Sequence, residues 1–490
     1  MNQKDPSKIE KSAARLLPLR EEGVLSWRFV AVFSMAGCIT IEILFNLLPI
    51  DHDTLLLYWF FPASLLLASQ LYFSFHFAKH AEIKLLLAFY AWCCVVLLLN
   101  FSRARLVDSF GWFASTCTTI ILCFSLPYAF SKDGAKRILT LLAVTTVLSV
   151  TLLSVVSLIA VYAGDLAAKA PSIFEGIGIT SGRLGIDIHP NRSATGLAAA
   201  VVLVGYLMTK TTRTWRRIVW ALCGLVCFVP LALTISRTAI IAAGIGLGFE
   251  VFLALQALLQ KKMRLMLRWF LSVLAACLVI VALYLGAGAI GRASNAILAR
   301  NEAAIAAAAT QSADVQELQE SNASPESSAP RVASRDLSDA DSFNGRTDIW
   351  LGVWKGLLEN PRILAYGTGP LMAGEATQRY FPADITPGLF HNSLLGTLVS
   401  FGIVGLLFAL AFLALVFVAA FRFSFRELLN AETLAERMLP AMLLFTLAEG
   451  MMEDFLFAYT SLNIIWIWFM IAAGFVLRMV KREPEPLKTL

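Results

Sequence analysis

His391 and Asn392 stand directly before a long apolar run, 394–421, and directly after the one extended polar stretch of an otherwise apolar chain. An imidazole, whose ordinary pKa is about 6.5, suits a general base at neutral pH. The chain has only five His, and this one opens a helix whose N-terminal amides favour anions. Three other polar clusters have a similar character: 181–192, with Arg183, His189 and Arg192; 234–238, with Arg237; and 344–350, with Arg346, Asp348 and Trp350. A guanidinium presents a planar fork of donors that matches a phosphate or carboxylate bidentately. A base grouped with several Arg is therefore the composition of a site that handles an anionic leaving group.

Each of these residues also has a plainer reading. Arg237 sits in a connection so short that its guanidinium must lie at the membrane interface. A charge at the centre of a bilayer costs about 2.5–3.5 kcal/mol on insertion scales. It is either a clamp for an anionic ligand or a snorkelling side chain that binds lipid phosphate. His391 is either a base or an N-capping imidazole, and His189-Pro190-Asn191 also makes a good turn before a helix. Two acidic pairs, Asp51/Asp53 and Asp339/Asp341, have a spacing that can hold Mg²⁺ or Mn²⁺. Glu449 and Glu453-Asp454 are better suited to buried polar work: Glu449 either orients an Arg or satisfies an interhelical hydrogen bond.

The elements that must position these groups are transmembrane helices. Of 490 residues, 58% are hydrophobic and 15% charged, with a mean hydropathy of +0.72, where a soluble domain carries about 25% charged residues. The expected fold is an all-α polytopic membrane protein of about 12 spans. They fall near 29–48, 55–75, 85–100, 110–130, 138–163, 194–208, 218–235, 238–260, 269–290, 394–421, 438–452 and 456–477.

The chain then divides into a cytoplasmic tail (1–28), nine spans (29–290), a large outer loop (291–391), three spans (392–478) and a second cytoplasmic tail (479–490). The tail at 1–28 lacks a cleavable signal pattern, so the first helix is expected to be an uncleaved anchor. Basic clusters near 79–84, 132–137, 210–217, 261–268, 422–437 and 478–488 all fall on one side of this arrangement, as the positive-inside rule requires. The net charge of +6 then reflects membrane orientation and not nucleic-acid binding. All eight Cys lie in apolar spans, which predicts neither a disulfide framework nor a metal site.

Within the outer loop, 302–310 is Ala-rich and 321–330 is rich in Ser, Ala and Pro, a composition that buries little surface and is expected to be helical at first and then mobile. Regular structure is expected again near Phe343. Ile349, Val353, Leu357 and Leu358 keep helical spacing and predict an amphipathic helix over 346–358. Glu359-Asn360-Pro361 stops it, and Gly367-Thr368-Gly369-Pro370 marks a tight turn. Trp350, Trp354, Tyr366, Tyr380 and Phe381 could stack on sugars or form an interface belt.

Taken in order, His189-Pro190-Asn191, Ser236-Arg237, Gly345-Arg346 before a Trp-containing helix, and His391-Asn392 ahead of 395–405 resemble the bacterial O-antigen ligase and polymerase superfamily. The resemblance covers roughly 180–475. It implies a metal-independent, inverting glycosyltransferase of the inner membrane with its site facing the periplasm, which moves a glycan from undecaprenyl diphosphate to an acceptor. The acceptor is lipid A core in a ligase and another carrier-linked repeat in a polymerase. No cofactor is implied. In these terms His391 is the base, and Arg237, Arg346, Arg192 and Arg183 bind the diphosphate. Asn392, His189 and Trp350 position substrate or acceptor, and Asp348 holds Arg346. One departure stands out: many members place a Glu a few residues after His-Asn, and 393–398 contains no carboxylate.

Two rival readings predict different features. A metal-dependent polyprenyl-phosphate-sugar transferase would use Asp51 and Asp53. A lipid-linked glycan flippase would scatter charges through the middle of its helices, whereas here Arg concentrates on the outer loops.

Overall fold

The structure is a computed structural model that describes residues 27–44, 64, 81–100, 112–113, 116, 120–163, 177–180, 183–186, 190–313, 346–369, 390–425, 433–453, 457 and 463–480. These form helices α1 (Trp27–Leu44), α2 (Ala81–Leu99), α3 (Lys132–Tyr162), α4 (Pro190–Lys210), α5 (Thr214–Leu233), α6 (Arg237–Leu259) and α7 (Leu265–Ala313). They continue with α8 (Arg346–Glu359), α9 (Pro361–Tyr366), α10 (Ser393–Phe425), α11 (Leu434–Met438), α12 (Pro440–Gly450) and α13 (Ile464–Val480). A two-stranded antiparallel hairpin, β1 (Ile177–Thr180) and β2 (Arg183–Ile186), precedes α4. Periodicity did not foresee this small departure from an all-α chain, because strands of four residues are too short to leave a pattern.

Among the described residues, seven helices are long and apolar enough to cross a membrane, and α1 and α13 contribute shorter apolar helices. The fold is thus a polytopic helical membrane protein. The span expected at 55–75 lies almost wholly outside the described residues. Within the run expected at 110–130, the described part is broken into a π-turn at Ile120–Phe124 and a 3-10 turn at Leu126–Ala129. Pro127 removes a backbone donor there. The run expected at 438–452 is divided between α11 and α12, where Pro440 begins a new helix.

The helix expected to end at 290 runs on to Ala313. Its 49 residues span about 73 Å at 1.5 Å per residue, well beyond a hydrocarbon core of about 30 Å. Hydropathy falls at the bilayer boundary, but the Ala-rich segment that follows is a strong helix former and carries the helix outward. Leu265, Met266, Phe270, Leu278 and Leu285 point away from the bundle, which fits a helix facing lipid.

Short connections make α4 and α5, and α6 and α7, antiparallel neighbours, and α6 also packs along α4 and α12. One end of the bundle carries Lys132, Lys136, Lys210, Arg213, Arg216, Arg217 and Arg422. There the Lys210 ammonium pairs with the buried Glu436 carboxylate. The opposite end holds the N-termini of α4, α6 and α10. Between the two ends the core is aromatic: Phe89 meets Phe401 and Phe457 edge to face, and Trp468 donates to Thr146 Oγ1 at 3.0 Å.

A kink in α10 fixes the turn after α9. Gly402 has φ 68°, outside the helical region, and Gly367 has φ 77°. The kink leaves the Val399 and Ser400 carbonyls to accept from Thr368 N and Gly369 N, both at 2.9 Å. Trp92 Nε1 donates to the Phe401 carbonyl at 2.7 Å. A Cβ on Gly402 would run into the Ala365 carbonyl, and one on Gly367 into Ser400. Gly402→Ala is expected to destabilise by more than the about 1–2 kcal/mol that a left-handed conformation costs an L-residue. A thermal-stability series on the detergent-purified protein, read by size exclusion, checks it; an unchanged midpoint would contradict this account.

Candidate active site

Glu453 joins the elements at this end of the bundle. It lies in the turn after α12 and is only 6% exposed. Its Oε1 accepts from Arg346 Nη2 at 2.6 Å and from Asn191 Nδ2 at 2.8 Å, and its Oε2 lies 3.0 Å from His391 Nδ1. An ionised carboxylate can only accept. The proton of a neutral His391 therefore sits on Nδ1, and the ring's lone pair is on Nε2. This is the base-and-orienter arrangement of nucleophilic enzymes, with Glu453 holding the imidazole.

The turn carrying Glu453 is strapped to the head of α10. Ser393 Oγ donates to the Glu453 carbonyl at 2.7 Å and Asn392 Nδ2 to the Met451 carbonyl at 3.1 Å. Asn392 Oδ1 in turn accepts from Leu394 N and Leu395 N, both at 3.0 Å, and caps α10. On the other side, Trp350 Nε1 donates to the Phe390 carbonyl at 2.9 Å. His391 is therefore gripped from both flanks, at φ 49°. A non-glycine residue held in the left-handed region costs about 1–3 kcal/mol, and such strain gathers at functional sites.

Arg346 is the first residue of α8. Besides its bond to Glu453, it donates from Nη1 to Thr238 Oγ1 at 3.3 Å, which ties it to the first turn of α6. Its side chain is 11% exposed, so the pair with Glu453 is buried. Arg237 begins α6 and is partly buried, after Ser236, whose hydroxyl accepts from Ala239 N at 3.5 Å as the N-cap. Ile235, just before that cap, has φ 54°. The turn delivering Arg237 is thus strained like the one delivering His391.

Arg183 is a strut. From β2 it donates through Nε to the Thr234 carbonyl at 2.9 Å and through Nη2 to Asn191 Oδ1 at 2.5 Å. Asn191, in the first turn of α4, passes the connection on to Glu453. One turn further, Thr195 Oγ1 lies 2.8 Å from the Asn191 carbonyl and 3.1 Å from Glu449 Oε1.

Four helix N-termini, those of α4, α6, α8 and α10, are linked through this hydrogen-bonded set. Each presents the positive end of its dipole, and the Arg346 guanidinium meets the Glu453 carboxylate directly while that of Arg183 is linked to it through Asn191. The arrangement suits an anion beside a base.

The structure brings together Arg183, Arg346, His391 and Asn392 among the residues singled out by sequence, and Arg237 stands beside Thr238, which accepts from Arg346. Arg192 lies in α4, with its side chain outside the described residues. His189, Asp51, Asp53, Asp339 and Asp341 also lie outside them. Asp348 does not hold Arg346: it is exposed, and Glu453 occupies that place. Spacing could not reveal this, because 107 residues separate Arg346 from Glu453 and 62 separate His391 from it. The acidic run at 449–454, at the outer end of an apolar segment, was the available signal. Among the described residues no cluster of three or more His, Cys, Asp or Glu could hold a metal ion.

The fold and site together define a multi-pass helical membrane protein with a buried His–carboxylate–Arg cluster at one end of its bundle. Residues 222–410 match the family model described as O-antigen ligase, and this match supports the O-antigen ligase and polymerase superfamily. The matched segment holds Arg237, Arg346 and His391, while Asn191, Glu449 and Glu453 lie outside it. No curated protein matches the chain. Glycan transfer of the ligase or polymerase type is the general activity that the family indicates.

Proposed function

We propose that this protein transfers a glycan from an undecaprenyl diphosphate carrier to an acceptor hydroxyl at the outer, periplasmic face of the bacterial cytoplasmic membrane. The acceptor is lipid A core or another carrier-linked repeat. The observation that carries this reading is the His391–Glu453 dyad among four helix N-termini and three Arg. His391 Nε2 takes the hydroxyl proton as the oxygen attacks the anomeric carbon. The bond from that carbon to the diphosphate breaks on the opposite face, and configuration inverts.

The departing diphosphate gathers negative charge, which Arg237, Arg346 and Arg192 stabilise without a metal ion. Arg183 contributes by holding Asn191, and Asn392 and Trp350 by holding the backbone around His391. His189, which directly precedes α4 in the sequence, is assigned to substrate positioning.

The deciding experiment supplies the purified protein with a defined carrier-linked repeat, with and without lipid A core. Product that requires the core identifies a ligase, and lengthening without it a polymerase. If neither forms while the carrier-linked substrate crosses the bilayer of a liposome, the protein is a transporter. Arg237→Ala is expected to lower kcat about 10²-fold, the effect of removing one charge-stabilising donor. EDTA is expected to leave the rate unchanged; a loss restored by Mg²⁺ would move the chemistry to a metal site.

A further inference from the structure

Glu449 is fully buried in α12, one helical turn before Glu453. Yet it shares none of that residue's partners. Glu453 takes the Arg346 guanidinium, the His391 ring and the Asn191 amide. Glu449 pairs with no cation among the described residues. Its Oε2 has no hydrogen-bond partner there, and its Oε1 meets only the Thr195 hydroxyl.

That hydroxyl has one hydrogen and two acceptor oxygens near it. The closer is the Asn191 carbonyl at 2.8 Å, against 3.1 Å for Glu449 Oε1. A threonine one turn into a helix commonly donates to the carbonyl four residues back. With its hydrogen spent there, the hydroxyl can only accept from Glu449. A carboxylate at this place would be a buried charge facing lone pairs, with no donor on its second oxygen among the described residues, at a cost of several kcal/mol. Among the described residues Glu453 and Arg346 are the charged groups that act on it: Glu453 raises the cost by like-charge repulsion, and Arg346 offsets it by a smaller amount.

We infer that Glu449 is a neutral carboxylic acid at neutral pH and serves as a positioning residue, its O–H donated to Thr195 and its neutrality leaving Glu453 the single carboxylate charge of the cluster. The role given to the cluster rests on the glycan-transfer reading, but the protonation state does not. Thr195 shares α4 with Asn191, so the acid braces the amide that holds Glu453, and through Glu453 the imidazole. A second carboxylate charge here would compete with an anionic donor for Arg346. A protonated acid does not.

Infrared difference spectroscopy on the reconstituted protein, wild type minus Glu449→Gln at neutral pH, tests the state directly. The expected result is a carbonyl band of a buried protonated carboxylic acid in the wild type that disappears in the variant. A carboxylate band lost in its place would overturn the inference, whatever the protein's activity. Transfer kinetics test the role. Glu449→Gln keeps the shape, the donor group and the neutrality. It is expected to hold kcat and donor KM within about threefold of wild type, with the same pH profile. Glu449→Leu removes the donor to Thr195 and is expected to lower kcat at least about tenfold with donor KM little changed.

A Gln variant with tenfold tighter donor binding would mean that a negative charge had been removed, and a Gln variant as impaired as Leu would mean that the acid itself moves a proton. Either outcome overturns neutrality as its function. If the Leu variant does not fold, Thr195→Val, which deletes the partner hydroxyl at nearly constant volume, is expected to give the same loss in kcat, and wild-type kinetics there would overturn the bracing role.

Discussion

His391→Ala is expected to abolish polymer or ligation product in membranes that contain the protein at normal levels, with kcat lowered about 10²- to 10⁴-fold, the range over which a positioned general base accelerates a reaction. Alanine, however, also has to occupy the left-handed φ of residue 391, so lost activity with Ala alone would mix chemistry with backbone strain. His391→Asn separates the two. Asn tolerates that conformation far better and can still donate a hydrogen bond toward Glu453, but it has no basic nitrogen. Both variants are therefore expected to lose the chemical step, while donor binding, measured by equilibrium titration with carrier-linked glycan, stays near the wild-type value in the Asn variant. Full product from either would remove His391 from the mechanism.

Glu453→Gln is expected to cost nearly as much, although no local motif marks the residue. The amide keeps the volume and retains one acceptor oxygen. It cannot accept from Arg346, Asn191 and His391 together, and it carries no charge to stabilise the imidazolium that forms as the hydroxyl proton is taken. A loss of about 10²-fold or more in kcat is expected, and it should be non-additive with His391→Asn, because residues that act as one unit fail together. The double variant should be no slower than His391→Asn alone; independent, multiplying losses would show that Glu453 works elsewhere. Glu453→Ala should fail differently. It strands the buried Arg346 guanidinium, and breaking a buried pair by removing one partner costs about 3–5 kcal/mol, so this variant is expected to lose folded protein before activity can be read. A thermal melt alongside the assay distinguishes the two outcomes.

These residues also mark where one-dimensional reasoning stops. Composition was enough to predict a multi-pass helical membrane protein, because a bilayer requires long apolar helices and tolerates few charges. The basic clusters were legible as one group, and several of them meet at one end of the bundle; the helix from Arg346 follows from local spacing, whereas the cap of α10 is supplied by Asn392 and not by His391. Breaks inside apolar runs do not show in hydropathy. Ser125 to Ala129 and the junction at Pro440 are as apolar as the helices beside them, and only the prolines, Pro127 and Pro440, mark the breaks locally. Helix in the Ala-rich segment 302–310 was legible from its composition, but its continuity with the span expected to end at 290 was not, since hydropathy ends at the bilayer and helix propensity does not.

The sequence by itself determined the class of fold, the end of the bundle that carries the Arg and His residues, and the types of group available there. The tertiary structure alone decided who holds whom: that Arg346 pairs with Glu453 and not with Asp348 two residues on, that Arg183 is a strut, and that a carboxylate reaches His391 from 62 residues downstream. The reason is physical. Helical periodicity reports which face of a helix is apolar, whereas a buried charge is satisfied by whatever donors the packing of other helices brings within about 3 Å, and that proximity leaves no trace in local spacing.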